Sequence, residues 1–189
     1  MPAYFLFLLW VAIGVFGRLI IHVPDATPLT SLCLLAPIVF SKRFSFLIIL
    51  ITLFLSDFIL HFLFHYAVFG SWTLFTYSGW LMVAVIGFLF SKKSTILNAI
   101  LYSAFSAVIF WVWTDFGTWI TTALYAHTAQ GLLNCYIAAL PFLRNSMLGA
   151  MAWSVVLVYL LFRHNIIHRH IPTFWNNIVY FLKFIRRAN

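Results

Sequence analysis

A few ionisable side chains interrupt the long apolar stretches of this sequence, and they are the residues with which it could do chemistry. Asp57, His61 and His65 are spaced i, i+4 and i+8, so they share one stripe of a helix. One carboxylate and two imidazoles are sufficient ligands for Zn²⁺, Fe²⁺ or Mn²⁺. Residues eight positions apart lie about 12 Å apart along a helix axis, so only an adjacent pair could bind one ion. A metal site here needs further ligands from other helices.

Asp57 has a second interpretation, as one half of an ion pair. A charged group inside a membrane is unfavourable and needs a partner, which is often functional. Arg18 and Arg144 are the candidate partners in this sequence. Such a pair could also act only to hold helices together, which would make the protein a purely structural membrane partner.

The sequence lacks the motifs of the common enzyme classes. It contains no GxSxG, HExxH, P-loop or dinucleotide-binding pattern. We therefore expect a protein that is not an enzyme and that has no resident cofactor. A metal-dependent membrane enzyme or divalent metal-ion carrier that uses Asp57, His61 and His65 is the alternative hypothesis.

The composition indicates that the ionisable residues lie on helices embedded in a lipid membrane. Of the 189 residues, 65% are hydrophobic and only 7% are charged. A soluble domain has about 25% charged residues. At about 20 residues per crossing, the chain has room for six transmembrane helices and no second soluble domain. The fold class that we predict is therefore all-α, a polytopic membrane protein with six spans. These are predicted at about 3–21, 27–40, 44–66, 72–90, 95–125 and 134–162.

Two of these spans have unusual lengths. The second is too short to cross comfortably and contains Pro28 and Pro37, so we expect it to be tilted, kinked or partly re-entrant. The fifth is too long for one crossing, and its last turns, 114–125, are expected to protrude or bend. Gly14 and Gly17 in the first span are expected to mark helix contacts.

The basic residues give an orientation to these spans. The segments at 23–26, 67–71 and 126–133 contain no Lys or Arg. Nine of the eleven basic residues fall on the other side of a six-span protein, which places both termini in the cytoplasm and leaves no role for nucleic acid. No cleavable signal peptide is expected. The nine residues are Lys42, Arg43, Lys92, Lys93, Arg163, Arg169, Lys183, Arg186 and Arg187.

The chain then divides into a six-helix transmembrane domain at 1–162 and a basic cytoplasmic tail at 163–189. Within the tail, 174–187 has the pattern of an amphipathic basic helix that could lie on anionic inner-leaflet lipid. A solvated tail that only fixes orientation is an equal alternative.

With this topology, the other ionisable residues converge on the outer half of the membrane. Asp57 lies about 20 Å along the third span from its cytoplasmic start. Several polar groups among Trp and Tyr side chains indicate a binding pocket that is open to the outside. We predict a substrate-binding set made of Arg18, His22, Asp57, His65, Trp72, Tyr77, Asp115, Trp119 and Arg144.

The same residues carry a family resemblance that covers nearly the whole chain up to about residue 162. The stretch 114–145 is the most specific part, and the other matching segments are 18–28 and 55–57. The sequence resembles an uncharacterised bacterial family of membrane transporters. That family is similar to the S-components of energy-coupling factor vitamin transporters and to their solitary cobalamin-transporting relatives. The resemblance implies a six-helix S-component fold in the bacterial inner membrane and a vitamin-sized pocket near the outer face.

By this resemblance, His22, Asp57, Tyr77 and Arg144 match residues that line the pocket of the cobalamin-type relatives. Those relatives can carry a cobalt-ligating Cys after span three, but 67–77 contains none here, so His22, His61 or His65 would take that role. The first span also lacks the Ala-xxx-Ala face with which S-components dock on an energising module. The resemblance favours vitamin uptake, with cobalamin or another corrinoid as the transported ligand.

Overall fold

The computed structural model describes residues 3–20, 25–65, 67–90 and 96–163. Within these ranges the chain is all-α and contains six helices, which confirms the all-α part of the prediction. His22, Lys92, Lys93 and the tail beyond Arg163 lie outside the described residues. The helices are α1 (Ala3–Leu19), α2 (Leu29–Val39), α3 (Lys42–Phe64), α4 (Thr73–Phe90), α5 (Ile96–Thr121) and α6 (Ala129–Arg163).

The short helix α2 forms the centre of the bundle. It has 11 residues, all of them buried, and it contacts every other helix. Its length of about 16 Å is roughly half the thickness of a bilayer core. Pro37 lies inside it, and an extended residue, Phe40, ends it. The second helix is therefore as short as predicted, and the other helices surround it along its whole length.

Close helix contacts in this bundle depend on small residues. A Cβ atom at Gly14 would collide with Thr52 of α3 and one at Gly17 with Pro28, which agrees with their predicted role as contact positions. At Gly87 of α4, it would collide with the backbone carbonyl of Leu34 in α2. Glycine is needed at 87 because a backbone atom cannot move aside as a side chain can.

The surface of the bundle is apolar, whereas several small polar residues are buried. Helix α3 illustrates this reversal, because Phe54, Phe58 and Phe62 are exposed along one stripe while Ser56 and Asp57 face inwards. Exposed apolar surface on this scale is typical of contact with lipid. Other buried polar residues are Thr30, Ser31, Ser45, Thr52, Ser103, Ser106 and Ser154.

Three helices are long and apolar enough to cross a membrane, and this fits a membrane protein. The segments are Arg43–Phe64, Ile96–Thr121 and Ala129–Leu161, while α1, α2 and α4 are shorter apolar helices. Helix α5 ends at Thr121, four residues before the predicted end of span five. Helix α6 begins at Ala129, five residues before the predicted start of span six, and has Pro141 inside it.

Candidate functional site

Asp57 is the buried acid at which three helices meet. The side chain of Asp57 points inwards from α3. Arg18, in the last turn of α1, lies next to it. Nη1 of Arg18 lies 2.6 Å from Oδ1 of Asp57, and the side chains are 21% and 7% exposed, respectively. A cation near a helix C-terminus also interacts favourably with the helix dipole. Of the two arginines considered as partners for Asp57, the structure selects Arg18.

Two further side chains complete this network. Tyr77 of α4 donates its hydroxyl to Oδ2 of Asp57 at 2.8 Å. Nη1 of Arg18 also donates to the Ser56 hydroxyl at 2.5 Å, and Ser56 donates in turn to the carbonyl of Leu53. Both carboxylate oxygens of Asp57 therefore accept a hydrogen bond, and its charge is balanced. Such complete pairing makes a buried carboxylate tolerable.

The Arg18–Asp57 pair borders an open cleft, which we call the paired cleft. Its volume is about 320 Å³, at the lower end of the range for small-molecule sites. Trp72 contributes an aromatic wall, and Leu60 one turn after Asp57 contributes an aliphatic one. The structure thus brings together three of the predicted substrate-binding residues, Arg18, Asp57 and Trp72. Tyr77 reaches them through its hydrogen bond.

A second cleft lies between α5 and α6, and we call it the acidic cleft. Its volume is about 290 Å³. Asp115 of α5 and Asp25, from the connection before α2, both line it. Asp25 adopts a left-handed conformation with φ of 62°, which aspartate tolerates better than most residues. The lining residues are Asp25, Phe110, Trp111, Thr114, Asp115, Phe142 and Ser146. Asp115, predicted to share a pocket with Asp57, therefore lines a different cleft.

The remaining predicted residues lie apart from both clefts. His65 is exposed and caps α3 in a left-handed conformation, with φ of 57°. Arg144 is exposed on α6. Trp119 donates its indole N–H to the carbonyl of Ala126 at 2.9 Å and contacts the ring of His127, so it braces the α5–α6 connection. Their roles in substrate binding stay predictions, as does that of His22.

The structure also bears on the metal hypothesis. In the part of the chain that it describes, no group of three His, Cys, Asp or Glu residues lies close enough to hold a metal ion. Both oxygens of Asp57 accept hydrogen bonds from Arg18 and Tyr77, and His61 and His65 are exposed. A metal role for Asp57, His61 and His65 stays a prediction.

Sequence reasoning missed several residues that shape the two clefts. Ser56 immediately precedes Asp57 and lies in the matching segment 55–57, and these two signals could have identified it. Phe110 and Trp111 lie four and five residues before Asp115, so helical spacing could have identified them as neighbours of this acid. Phe142, on α6, carries no comparable signal because its position depends on how α5 and α6 pack.

The comparisons with known proteins give a family and no function. No curated protein matches this chain, and no solved structure matches it either. A family of unknown function, DUF6580, matches residues 1–171. That match covers all six helices and both clefts, so the chain belongs to the DUF6580 family.

Proposed function

We propose that this protein is a multi-pass transport protein of the bacterial inner membrane that binds a small organic micronutrient from the outer side. The paired cleft would be its binding site. The observation that carries the proposal is the balanced Arg18–Asp57 pair, which borders a cleft with Trp72 in a bundle whose surface is apolar. Intramembrane charges that face a cavity are typical of substrate pathways.

The proposed topology has six crossings and both termini in the cytoplasm. Its support is the basic residues at 42–43, at 92–93 and after 162, together with the absence of Lys and Arg from 67–71 and 126–133. Helix α2 is too short to cross alone, so the flanking residues 25–28 and 40–41 would complete its crossing. Arg18 and Asp57 would then lie in the outer half.

Cysteine labelling in intact cells tests this topology. Cys33 and Cys135 are both buried, so the background reaction of the native chain is expected to be low. A membrane-impermeant maleimide should label Thr128→Cys in the connection before α6 and should not label Asn189→Cys until the cells are opened. Labelling of both variants in intact cells, or of neither, would contradict the proposed orientation.

The chemistry of the paired cleft favours a ligand with polar groups and a flat apolar part. Arg18 uses only Nη1 in its hydrogen bonds to Ser56 and Asp57, and an arginine carries five N–H donors in all. The remaining donors can serve amide, carboxylate or phosphate oxygens, and the indole of Trp72 can cover a ring. The family resemblance favours cobalamin or another corrinoid. The cleft volume favours a smaller vitamin, unless the helices separate around the ligand.

Binding to the purified full-length protein tests this function. Cobalamin and a panel of smaller vitamins would be measured by isothermal titration in lipid nanodiscs. We expect one of them to bind, and Trp72→Ala to weaken its binding about tenfold or more, since the variant removes a large aromatic contact. Phe62→Leu, on the exposed stripe of α3, is the matched control and should bind as the native protein does. If no vitamin binds or Trp72→Ala has no effect, the ligand assignment is wrong.

Growth rescue tests transport itself. A vitamin-auxotrophic host that lacks its own importer should grow on a low concentration of the bound vitamin when it expresses this protein. Rescue without a co-expressed energising module would indicate that the protein works alone, and rescue only with one would indicate docking. Expression without rescue in both cases would contradict a transport function.

A further inference from the structure

The charged residues of the paired cleft balance each other. Among the described residues that line it, Arg18 and Asp57 are charged, whereas Leu60, Ala67 and Trp72 are not. Nη1 of Arg18 lies 2.6 Å from Oδ1 of Asp57, so the two side chains form an ion pair with no net charge. A ligand with a net charge would therefore enter the cleft without a free counter-ion among these residues.

Asp57 is poorly placed to bind a cationic ligand. Its Oδ1 accepts a hydrogen bond from Arg18, and its Oδ2 accepts one from the hydroxyl of Tyr77. The side chain of Asp57 is 7% exposed and that of Arg18 is 21% exposed, so the guanidinium is the more accessible member of the pair. A cation that approached the carboxylate would meet this second positive charge at close range, and like charges repel.

An anionic ligand is disfavoured by the same pair. Arg18 would attract it, but Asp57 lies next to that guanidinium and would repel a second negative charge. The pair is also held in place from both sides. Ser56 accepts a hydrogen bond from Nη1 of Arg18 and donates to the carbonyl of Leu53, while Tyr77 donates to Asp57. A bound anion would leave an uncompensated negative charge in an apolar bundle, which is unfavourable.

Arg18 nevertheless keeps hydrogen-bond donors for a ligand. Its bonds to Ser56 and Asp57 use Nη1, and the N–H groups of Nη2 and Nε remain. A donor in a cleft needs an acceptor, because leaving it unpaired costs free energy. A neutral carbonyl or amide oxygen accepts such a hydrogen bond and adds no charge. Trp72 and Leu60 give the same cleft apolar walls against which a flat ring can pack.

We propose that the paired cleft selects uncharged ring compounds that carry a carbonyl or amide oxygen, with this oxygen on the remaining N–H groups of Arg18 and the ring against Trp72. The inference rests on the proposed function, because it takes the paired cleft as the binding site, and it narrows the substrate class of that site. Asp57 is then a specificity-determining residue. It cancels the charge of Arg18, so that the arginine serves as a hydrogen-bond donor and does not select anions.

Three probes that share a phenyl ring test the inference. Benzamide is neutral, whereas benzoate is an anion and benzylammonium is a cation at neutral pH. Each would be titrated into the full-length protein in nanodiscs by ligand-detected NMR, with empty nanodiscs to correct for partition into lipid. We expect benzamide to bind about tenfold or more tightly than either ion. Equal or tighter binding of benzoate or benzylammonium, or no specific binding of benzamide, would overturn the proposal.

A charge variant tests the role of Asp57. Asp57→Asn keeps the shape of the side chain and leaves the positive charge of Arg18 unbalanced, so benzoate binding should strengthen about tenfold or more. Benzoate should then bind at least as tightly as benzamide. Phe62→Leu, on the exposed stripe of α3, is the control and should keep the native order of the probes. A thermal melt confirms folding, and the order of the probes on the native protein tests the proposal even if Asp57→Asn fails to fold. An unchanged preference for benzamide in folded Asp57→Asn would overturn the assignment.

The failure of this inference is distinguishable from the failure of the proposed function. If a vitamin binds to the protein but the three probes bind equally, the inference is wrong and the micronutrient proposal stands. If benzamide is preferred but no vitamin binds, the inference is supported and the ligand assignment of the proposed function is wrong. Loss of benzamide binding in Trp72→Ala would support the paired cleft as the site, and unchanged binding would overturn it.

Discussion

The two clefts have similar lining residues but differ in the partners of their aspartates. Each has an aspartate on a long apolar helix and aromatic side chains nearby. In the paired cleft, Arg18 and Tyr77 engage both oxygens of Asp57, and the acid links α1, α3 and α4. In the acidic cleft, the second ionisable residue that lines the wall, within the described part of the chain, is another acid, Asp25. One aspartate therefore links three helices, whereas the other faces a cleft whose second ionisable lining residue, among those described, is also an acid.

This difference predicts opposite responses to the same type of mutation. Removing a balanced charge leaves its partners unpaired and destabilises the protein. Removing a charge that faces another acid relieves repulsion between the two and the unfavourable burial of the charge. The following variants are compared by their unfolding free energy in detergent.

The largest loss of stability is expected for Asp57→Ala. This variant leaves the Arg18 guanidinium and the Tyr77 hydroxyl without their acceptor. Breaking a buried pair in this way costs about 3 kcal/mol, and the partial exposure of Arg18 lowers this figure. Reversible denaturation of the purified protein measures this loss.

A double-mutant cycle separates pairing from simple loss of contacts. Arg18→Leu combined with Asp57→Ala should cost less than the sum of the two single variants, because neither charge is then left alone. Additive losses would show that Arg18 and Asp57 do not stabilise each other, and the contrast between the two clefts would disappear.

A backbone contact beneath the acidic cleft gives the next largest effect. A methyl group at Gly149 would lie 2.6 Å from Cα of Ala26, the residue after Asp25. Backbone cannot yield easily, so Gly149→Ala should cost about 2 kcal/mol and displace Asp25. Thermal melts of the purified variant measure the loss.

Gly70→Ala is the matched control for that variant. Its added methyl group would meet the indole ring of Trp72, which borders the paired cleft and is a side chain that can rotate away. Its stability loss should be smaller. A greater loss at Gly70 than at Gly149 would be inconsistent with the packing described.

Tyr77→Phe should have a smaller effect on the paired cleft. It removes the hydroxyl that donates to Oδ2 of Asp57 at 2.8 Å and leaves the Arg18 contact in place. A hydrogen bond to a charged group contributes about 1.5 kcal/mol or somewhat more. The same change at Tyr136, whose hydroxyl is in a more exposed position and donates to the carbonyl of Val112, should cost less. Equal losses would indicate that Asp57 does not depend on Tyr77.

The main features of the fold could be predicted from the sequence, because helix number and apolar length follow from local composition. The short second helix, the contact glycines and the need of Asp57 for a partner were evident in this way. The choice of Arg18 over Arg144 was not, since it depends on which helices are neighbours. The separation of Asp115 from Asp57 likewise depends on the packing of α5 against α6.

Asp115→Asn is expected to give the smallest change in stability, and in the opposite direction. The substitution keeps the shape of the side chain and removes a charge that faces another acid, Asp25, across the same cleft. We expect the unfolding free energy to rise by about 1 kcal/mol. Asp115→Asn would then raise the unfolding free energy, whereas Asp57→Ala would lower it. If Asp115→Asn destabilises the protein as strongly as Asp57→Ala does, Asp115 is as closely tied to the fold as Asp57 is, and the contrast between the two clefts is wrong.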